Sequence, residues 1–398
     1  MVVYREYVEG STAFISADID YYTTSVHHPT SELPIFYNPR MKVNRDLSVL
    51  VLDAIGSRKE IHSICEPFGG CGVRTLRYLR ECRGDFVAHV FDINPVAVET
   101  IRQNVLRYDL QDRVRILSGD ARRLLMDESR GRGFDMVDVD PFGSPAPYLP
   151  YAVQSIGPNG GLVAATATDM PVLCGVYPRV ALRKYGGLSI RAPFSKEIAI
   201  RLLFSLLFHA AGMADMSIRP LVSLSDAHYV RIWAWVSRSC VEANTSSKEI
   251  GILRYCDKCM SVEKIPLSSL GNHSPEHRDG CSHSHPRIAG PIWLGRLWNR
   301  DLIENILTLM GRHESIVSDV QPLVKLLLEE EELSDMPYVD IHSVCDTYGL
   351  VPPPMTKVIN ALRDLGYRVS RTHFSATSLR TDAEIGDLVR LIEHLNGG

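Results

Sequence analysis

The chain carries no excess of positive charge: 43 Lys and Arg stand against 47 Asp and Glu, a formal net charge of -4 over 398 residues. That excludes capture of an anionic polymer by the field of the whole protein, so any nucleic-acid partner must be held by a local patch. Long apolar runs are also missing. The most apolar segment, 198–214, is interrupted by Arg201 and His209 and is too short to span a bilayer, and no cationic, apolar leader opens the chain. The nine cysteines are odd in number and scattered through apolar segments, Cys65, Cys174, Cys240 and Cys345 among them, which argues against a disulfide framework. There is no internal repeat. The expectation is a soluble, cytoplasmic protein of about two or three domains in a reducing compartment.

Residues 1–44 are polar and aromatic, with turn chemistry at His28-Pro29, Leu33-Pro34 and Asn38-Pro39 and no sustained period. They read as an arm or lid over an active site. From Arg45 the pattern becomes regular: helix to Gly56, strand 61–65, helix 73–82, strand 86–91, helix 95–108, strand 114–117, helix 122–128, strand 133–139. Strand 160–168, helix 198–212 and strands 218–223 and 229–236 follow. Such alternation predicts a Rossmann-like α/β domain over 45–237, with a doubly wound, mostly parallel sheet. The polar stretch 237–248 reads as a linker, and a smaller α+β C-terminal domain is expected over 249–398. Its elements are helices 301–311, 317–333, 340–348, 355–365 and 382–395 and a strand at 367–372, and the charge run 329–332 reads as a solvated helix end.

Ile64-Cys65-Glu66-Pro67-Phe68-Gly69-Gly70-Cys71-Gly72 follows the first strand of this domain and opens a helix, so a ligand can approach the backbone at a helix N-terminus. The dinucleotide pattern G-x-G-x-x-G is absent: counted from Gly70, the third position is Thr75, and the carboxylate of Glu66 repels pyrophosphate but suits a cation. Asp92, before Ile93 at the end of the next strand, can take both ribose hydroxyls. Asp120, before Ala121, ends the third strand and can accept from an adenine amino group. With the methionine moiety near Glu66, Phe68 and Gly70, three acidic strand ends describe S-adenosylmethionine rather than NAD.

The fourth strand ends in Asp138-Val139-Asp140-Pro141-Phe142-Gly143-Ser144-Pro145. An exocyclic amine conjugated to a ring must be drawn toward sp³ geometry before it attacks a sulfonium methyl. The Asp140 carboxylate, with the Pro141 carbonyl as second acceptor, can do this, and Phe142 can stack on an extruded base. Phe36, just before Asn38-Pro39 in the arm, offers a second ring. Asp138 is the rival to Asp140, which alone stands at the turn.

Here the chain resembles a specific family, the archaeal and eukaryotic tRNA (guanine-26) N2,N2-dimethyltransferases. The resemblance is carried by Glu9-Gly10, Phe36-Tyr37-Asn38-Pro39-Arg40-Met41, Asn44-Arg45-Asp46, and the Asp138 to Pro145 turn. It continues through Ala167-Thr168-Asp169-Met170 with Val172-Leu173-Cys174-Gly175, Arg183-Lys184-Tyr185-Gly186, Ala289-Gly290-Pro291-Ile292-Trp293, and Ser370-Arg371-Thr372-His373-Phe374, nearly the whole chain. It implies successive transfer of two methyl groups from S-adenosylmethionine to N2 of guanine 26 in tRNA. By position it implies Arg45 and Arg74 as cofactor contacts beside Asp92, Asp120 and Ala121. It likewise implies Asp140 as the residue that orients and deprotonates N2, and Phe36 and Phe142 as a base clamp. No membrane and no obligate protein partner is implied.

Cys256-x-x-Cys259 is half of a structural zinc site. The resemblance implies a second Cys pair, but only Cys281 follows, among His273, His277, His283 and His285. His277 with Cys281 can complete a Cys₃His set, with His283 or His285 as alternatives. The segment 340–374 resembles a winged-helix layout. Lys357, Arg363, Arg368 and Arg371, together with Arg179, Arg183, Lys184, Arg191 and Arg201, form a candidate stripe for tRNA phosphates. Two other readings stay open: methylation of another exocyclic base amine, such as adenine N6 or another RNA guanine, and a non-catalytic RNA-binding protein.

Overall fold

The computed structural model describes residues 2–23, 33–226, 228–272 and 286–397. The chain divides into two compact units, each discontinuous: Met1–Thr166 with Trp233–Arg238 and Asp301–Val324, and Ala167–Ile232 with Ser239–Arg300 and Lys325–Gly398.

The first unit opens with an antiparallel hairpin, β1 (Tyr4–Glu9) and β2 (Thr12–Ala17), turned at Gly10, whose φ of +56° suits glycine. This part of the arm is docked. Phe14 is fully buried, the amide of Ile15 donates to Asn104 Oδ1 (2.8 Å), and the Tyr108 hydroxyl binds the backbone of Ala13. The sequence reading missed the hairpin although its pairing is local, Glu9 facing Thr12 across Gly10-Ser11; only its docking partners lie some ninety residues downstream.

Along the chain follow β3 (Ser63–Glu66), β4 (Val87–Asp92), β5 (Val114–Ser118), β6 (Met136–Val139), β7 (Gly161–Ala167), β8 (Met216–Ser225), which belongs to the second unit, and β9 (Val230–Arg238). They form a seven-stranded sheet in the order β5-β4-β3-β6-β7-β9-β8. The pairs β3/β4, β4/β5, β3/β6 and β6/β7 are parallel. Strands covered on both faces read as continuous apolar runs, and β6 and β7 are buried along their whole length. β6 is shorter than expected, because Gly133 (φ +73°) turns the chain and the Phe134 amide donates instead to Ser155 O. The chain moves outward from β3 to β5, then returns to lay β6 on the other side of β3. Ligands of such sheets bind at the carboxyl ends of the strands where the order reverses.

In the second unit, β10 (Ile250–Tyr255) pairs antiparallel with both β11 (Val262–Pro266) and β12 (Arg287–Trp293). A further sheet has the order β13-β15-β14, from Val339–Asp340, Ser378–Thr381 and Val369–Arg371. The helices Ile341–Tyr348 and Met355–Asp364 precede β14. The stretch read as a linker contains a helix, Cys240–Ser246, whose cap Ser239 accepts from the Glu242 amide; the Ser-x-x-Glu spacing was a start signal hidden by polarity.

Two charge readings are corrected here. Arg201 is fully buried, its Nη2 donating to Glu197 Oε1 (2.7 Å), so it cannot belong to a phosphate-facing stripe. Within the run 329–332, Glu330 is fully buried and accepts from Thr372 Oγ1 (2.7 Å) and Arg380 Nε (2.9 Å), while Arg380 Nη2 reaches Glu197 Oε2 (2.8 Å). Glu331 is buried as well, paired with Arg296. Their partners are 35 to 50 residues away in the sequence, which made the run look solvated.

Candidate active site

The turn after β3 is shaped by what glycine omits. A Cβ on Gly69 would stand 2.5 Å from Val90 Cγ1, and Gly70, at φ +54°, would bring one to 3.0 Å from Phe36 O. Gly72 (φ +79°) begins the helix Val73–Glu81. Asp92, half-buried at the end of β4, accepts from the Gly70 amide (2.8 Å) and the Asn94 amide (2.8 Å), tying the glycine turn to the second acidic strand end. Burial raises its carboxyl above the ordinary value despite those donors.

Three carboxylates surround one guanidinium at the ends of β3 and β6. Arg74 is buried; Nη1 donates to Asn44 Oδ1 and Ser48 Oγ (3.0 Å each) and Nη2 to Asp140 Oδ2. Its Nε lies 3.6 Å from Asp138 Oδ2 and 3.8 Å from Glu66 Oε1. Against burial, which lowers it, Asp138 and Asp140 raise Arg74 well above its ordinary value. Asp138 is buried and accepts from the Tyr78 hydroxyl (2.6 Å), whereas the Asp140 side chain keeps 15% of its surface exposed. Glu66 Oε2 accepts from the Thr75 amide (3.1 Å) and hydroxyl (2.6 Å). Burial, opposed by Arg74 and Thr75 and reinforced by Asp138 and Asp140, pushes Glu66 up to about 8. The cluster gathers acid oxygens around one guanidinium, and it presents one partly exposed carboxylate, Asp140, at the turn.

Pro141 is buried and Phe142 is 62% exposed, so the turn aims its ring outward. Phe36 and Phe142 meet edge to face, centroids 4.5 Å apart at 85°. A base held between two rings needs about 3.5 Å on each face, hence parallel planes about 7 Å apart. The two rings are together in one place, but at this spacing no base fits between them.

The other expected cofactor contacts are dispersed in role. Arg45 is buried and bidentate to Glu9, through Nε (2.7 Å) and Nη2 (2.6 Å), and Nη2 also donates to Asn38 O (2.8 Å). The Tyr37 hydroxyl adds a bond to Glu9 (2.8 Å), so this side chain braces the arm against the hairpin. Phe68 is half-buried against Tyr148 (4.7 Å between centroids), Ile93 is 75% exposed and Ala121 is buried. Asp120 caps the helix Ala121–Glu128 through the Arg122 amide (2.8 Å), and its carboxylate is gripped by the Arg122 side chain, whose hydrogen bonds hold it at about 2. An adenine amine there would share the carboxylate with Arg122. Sequence reasoning passed over Ser48 and Tyr78, and it gave Glu9 and Asn44 no role beyond their place in the family motifs. The i,i+4 spacing of Asn44 and Ser48 beside Arg45 was the available signal.

Cys256 and Cys259 sit in the turn between β10 and β11, where the Cys256 amide donates to Ser261 O (3.0 Å) and Met260 is at φ +57°. Among the described residues no group of three or more His, Cys, Asp or Glu could hold a metal ion. His277 and Cys281, like His273, His283 and His285, lie outside the described residues. Among the described residues no helix is long and apolar enough to cross a membrane.

A mostly parallel sheet with a glycine-bearing, acidic crevice at its switch point defines the Rossmann-like methyltransferase class. Residues 10–393 match the family described as N2,N2-dimethylguanosine tRNA methyltransferase, and the chain belongs to that family. The tRNA (guanine(26)-N(2))-dimethyltransferase of Methanosphaera stadtmanae is 34% identical over 367 residues, 91% of this chain and 92% of that protein. The tRNA (guanine(26)-N(2)/guanine(27)-N(2))-dimethyltransferase of Aquifex aeolicus is 29% identical over 371 residues, 92% of this chain and 91% of that protein. Trm1 from Pyrococcus horikoshii, solved in complex with S-adenosyl-L-methionine, matches with a TM-score of 0.81 at 25% identity, covering 98% of this chain and 99% of that one.

Proposed function

We propose that the chain is a methyltransferase that acts on the exocyclic N2 of guanine 26 in tRNA, using S-adenosylmethionine to give N2-methyl- and then N2,N2-dimethylguanosine. The observation that carries this is Asp140 at the turn after β6, its Oδ2 held by Arg74 beside Phe36 and Phe142, in a chain that matches the family from residue 10 to 393. The residues fit the cofactor: glycine where a Cβ would collide, acidic strand ends, and the partly exposed Asp140 carboxylate at the turn. Glu66, Phe68 and Gly70 border the methionine part, Asp92 and Ile93 the ribose, and Asp120 and Ala121 the adenine, with Arg45 and Arg74 bracing the walls from behind. When bound, S-adenosylmethionine supplies a methyl group on a sulfonium.

The protein does the rest. Phe36 and Phe142 part to admit guanine between their faces, at the cost of one edge-to-face contact, about 0.5–1.5 kcal/mol. Arg74 keeps Asp140 Oδ2 in place while Oδ1 accepts one N2 hydrogen and the Pro141 carbonyl accepts the other. This draws the nitrogen lone pair out of conjugation. Asp140 Oδ1 takes the proton released as the methyl is transferred, and the remaining N–H is presented for a second round. A tRNA substrate fits a cytoplasmic location.

Cys256 and Cys259, with His277 and Cys281, are proposed to hold a structural zinc ion; four protein ligands leave no position for chemistry. Metal analysis of protein purified without chelator should find one zinc per chain, lost on Cys256→Ser, and a metal-free native protein removes the site.

The test of function is incubation with S-adenosylmethionine and an unmodified tRNA transcript carrying guanine at position 26, beside one carrying adenine, followed by nucleoside mass analysis. Dimethylguanosine from the first alone is expected. Methylation of both transcripts points to another amine, and methylation of neither to a binding protein.

A further inference from the structure

From Met170 to Lys196 the chain has five cations, Arg179, Arg183, Lys184, Arg191 and Lys196, and no Asp or Glu, in a protein whose acids outnumber its bases. The centre of this segment is the helix Pro178–Tyr185. It buries Ala181 and Tyr185 and exposes Arg179, Leu182, Arg183 and Lys184. Arg179 and Arg183 are one helical turn apart, so their like charges face each other, which is unfavourable in isolation. Several other exposed helical cations are matched within their own helices, Arg102 by Glu99, Arg123 by Asp127 and Arg390 by Asp387, whereas among the described residues Lys325, Lys357 and Arg363 are not. On this helix Lys184 approaches Asp169 at 3.6 Å, and among the described residues Arg179 and Arg183 make no ion pair. Tyr177, 55% exposed, stands immediately before the helix.

We infer that the helix Pro178–Tyr185 is a phosphate-contacting element for tRNA, with Arg179 and Arg183 bridging backbone phosphates and Tyr177 as a stacking surface beside them; this rests on the tRNA reading above. An uncompensated cationic face is the electrostatic footprint of a polyanion, and neutralising its phosphates releases counterions. Together with Arg191 it narrows the candidate stripe to an acid-free segment and omits Arg201, which is internally paired.

The test uses the full-length protein and the guanine-26 transcript. Arg179→Glu/Arg183→Glu should raise the KM for tRNA by about tenfold or more and lower the slope of log binding constant against log salt by about 2. The affinity for S-adenosylmethionine should not change. Arg179→Gln/Arg183→Gln, which only neutralises, should move both readouts in the same direction and guards against misfolding of the reversed variant. Arg102→Glu, exposed on another helix, should leave the KM for tRNA as it was. A KM within twofold of the wild type and an unchanged salt slope in both double variants overturns the inference. So does an unchanged KM with lost binding to phosphatidylserine vesicles, which reassigns the face to a membrane. A wild type that makes dimethylguanosine while the variants behave alike sinks this inference alone. A wild type that binds tRNA without methylating it sinks the functional reading, and the salt slope still decides the helix.

Discussion

Glu66→Gln separates the charge of the acidic cluster from its shape. Gln retains an oxygen for the Thr75 amide and hydroxyl, so the two hydrogen bonds at 3.1 and 2.6 Å survive, but it never ionises. In the wild type the folded carboxyl is raised from 4.5 to about 8, so the folded chain holds a proton that the unfolded chain has released. The stability from this group is present in full below about pH 4.5 and is lost as pH rises through about 8. At about 1.4 kcal/mol per pH unit, the loss between about pH 5.5 and pH 8.5 is roughly 3 kcal/mol. A loss of that size is a large part of a typical domain's stability. Urea unfolding of both proteins at those two pH values gives the stability difference, variant minus wild type, in which the other titrating groups cancel. It should increase by roughly 3 kcal/mol on going to the higher pH. Parallel pH profiles would refute the reasoning, because they would mean that Glu66 ionises folded as readily as unfolded.

Asp140→Asn should keep its affinity for S-adenosylmethionine while turnover falls by about 10²–10⁴-fold. Asp92→Ala should instead weaken cofactor binding in a direct titration, and equal losses of binding in the two variants would take Asp140 out of its catalytic role. Phe36→Ala is expected to raise the KM for tRNA without lowering the melting temperature by more than a few degrees; an unchanged KM makes the ring a packing residue. Glu330 is held down at about 2, where His373 and Arg380 outweigh burial. Its contribution is therefore present above about pH 4.5 and lost as pH falls toward 2. Glu330→Gln should cost about 3–5 kcal/mol in urea unfolding at neutral pH, since it leaves Arg380 buried with one partner fewer, and the gap should close in acid. Equal midpoints at neutral pH would show that the network is neutral to stability.

The turns that make up the candidate site were legible because their signals are local. Pro141 after an apolar strand, glycines before a helix, and Asp92 and Asp120 at strand ends are all signals within a few residues of one another. Where the reading failed, the partner was remote. Arg201 and Glu330 looked like surface charge, and each is buried against side chains brought in by separate elements.

By itself the sequence determined the order of the seven strands β3 to β9 and the placing of acids and glycines at strand ends, because those depend on periodicity and turn chemistry between near neighbours. It also carried the family, through motifs spread from Glu9 to Phe374. Only the tertiary structure decided which carboxylate is buried and which remains open. It alone showed that one guanidinium, Arg74, serves Asp140 while lying beside Asp138 and Glu66, and that Phe36 rests against Phe142. Those outcomes rest on desolvation and on distances of a few ångströms between residues up to about a hundred positions apart. No local pattern encodes them.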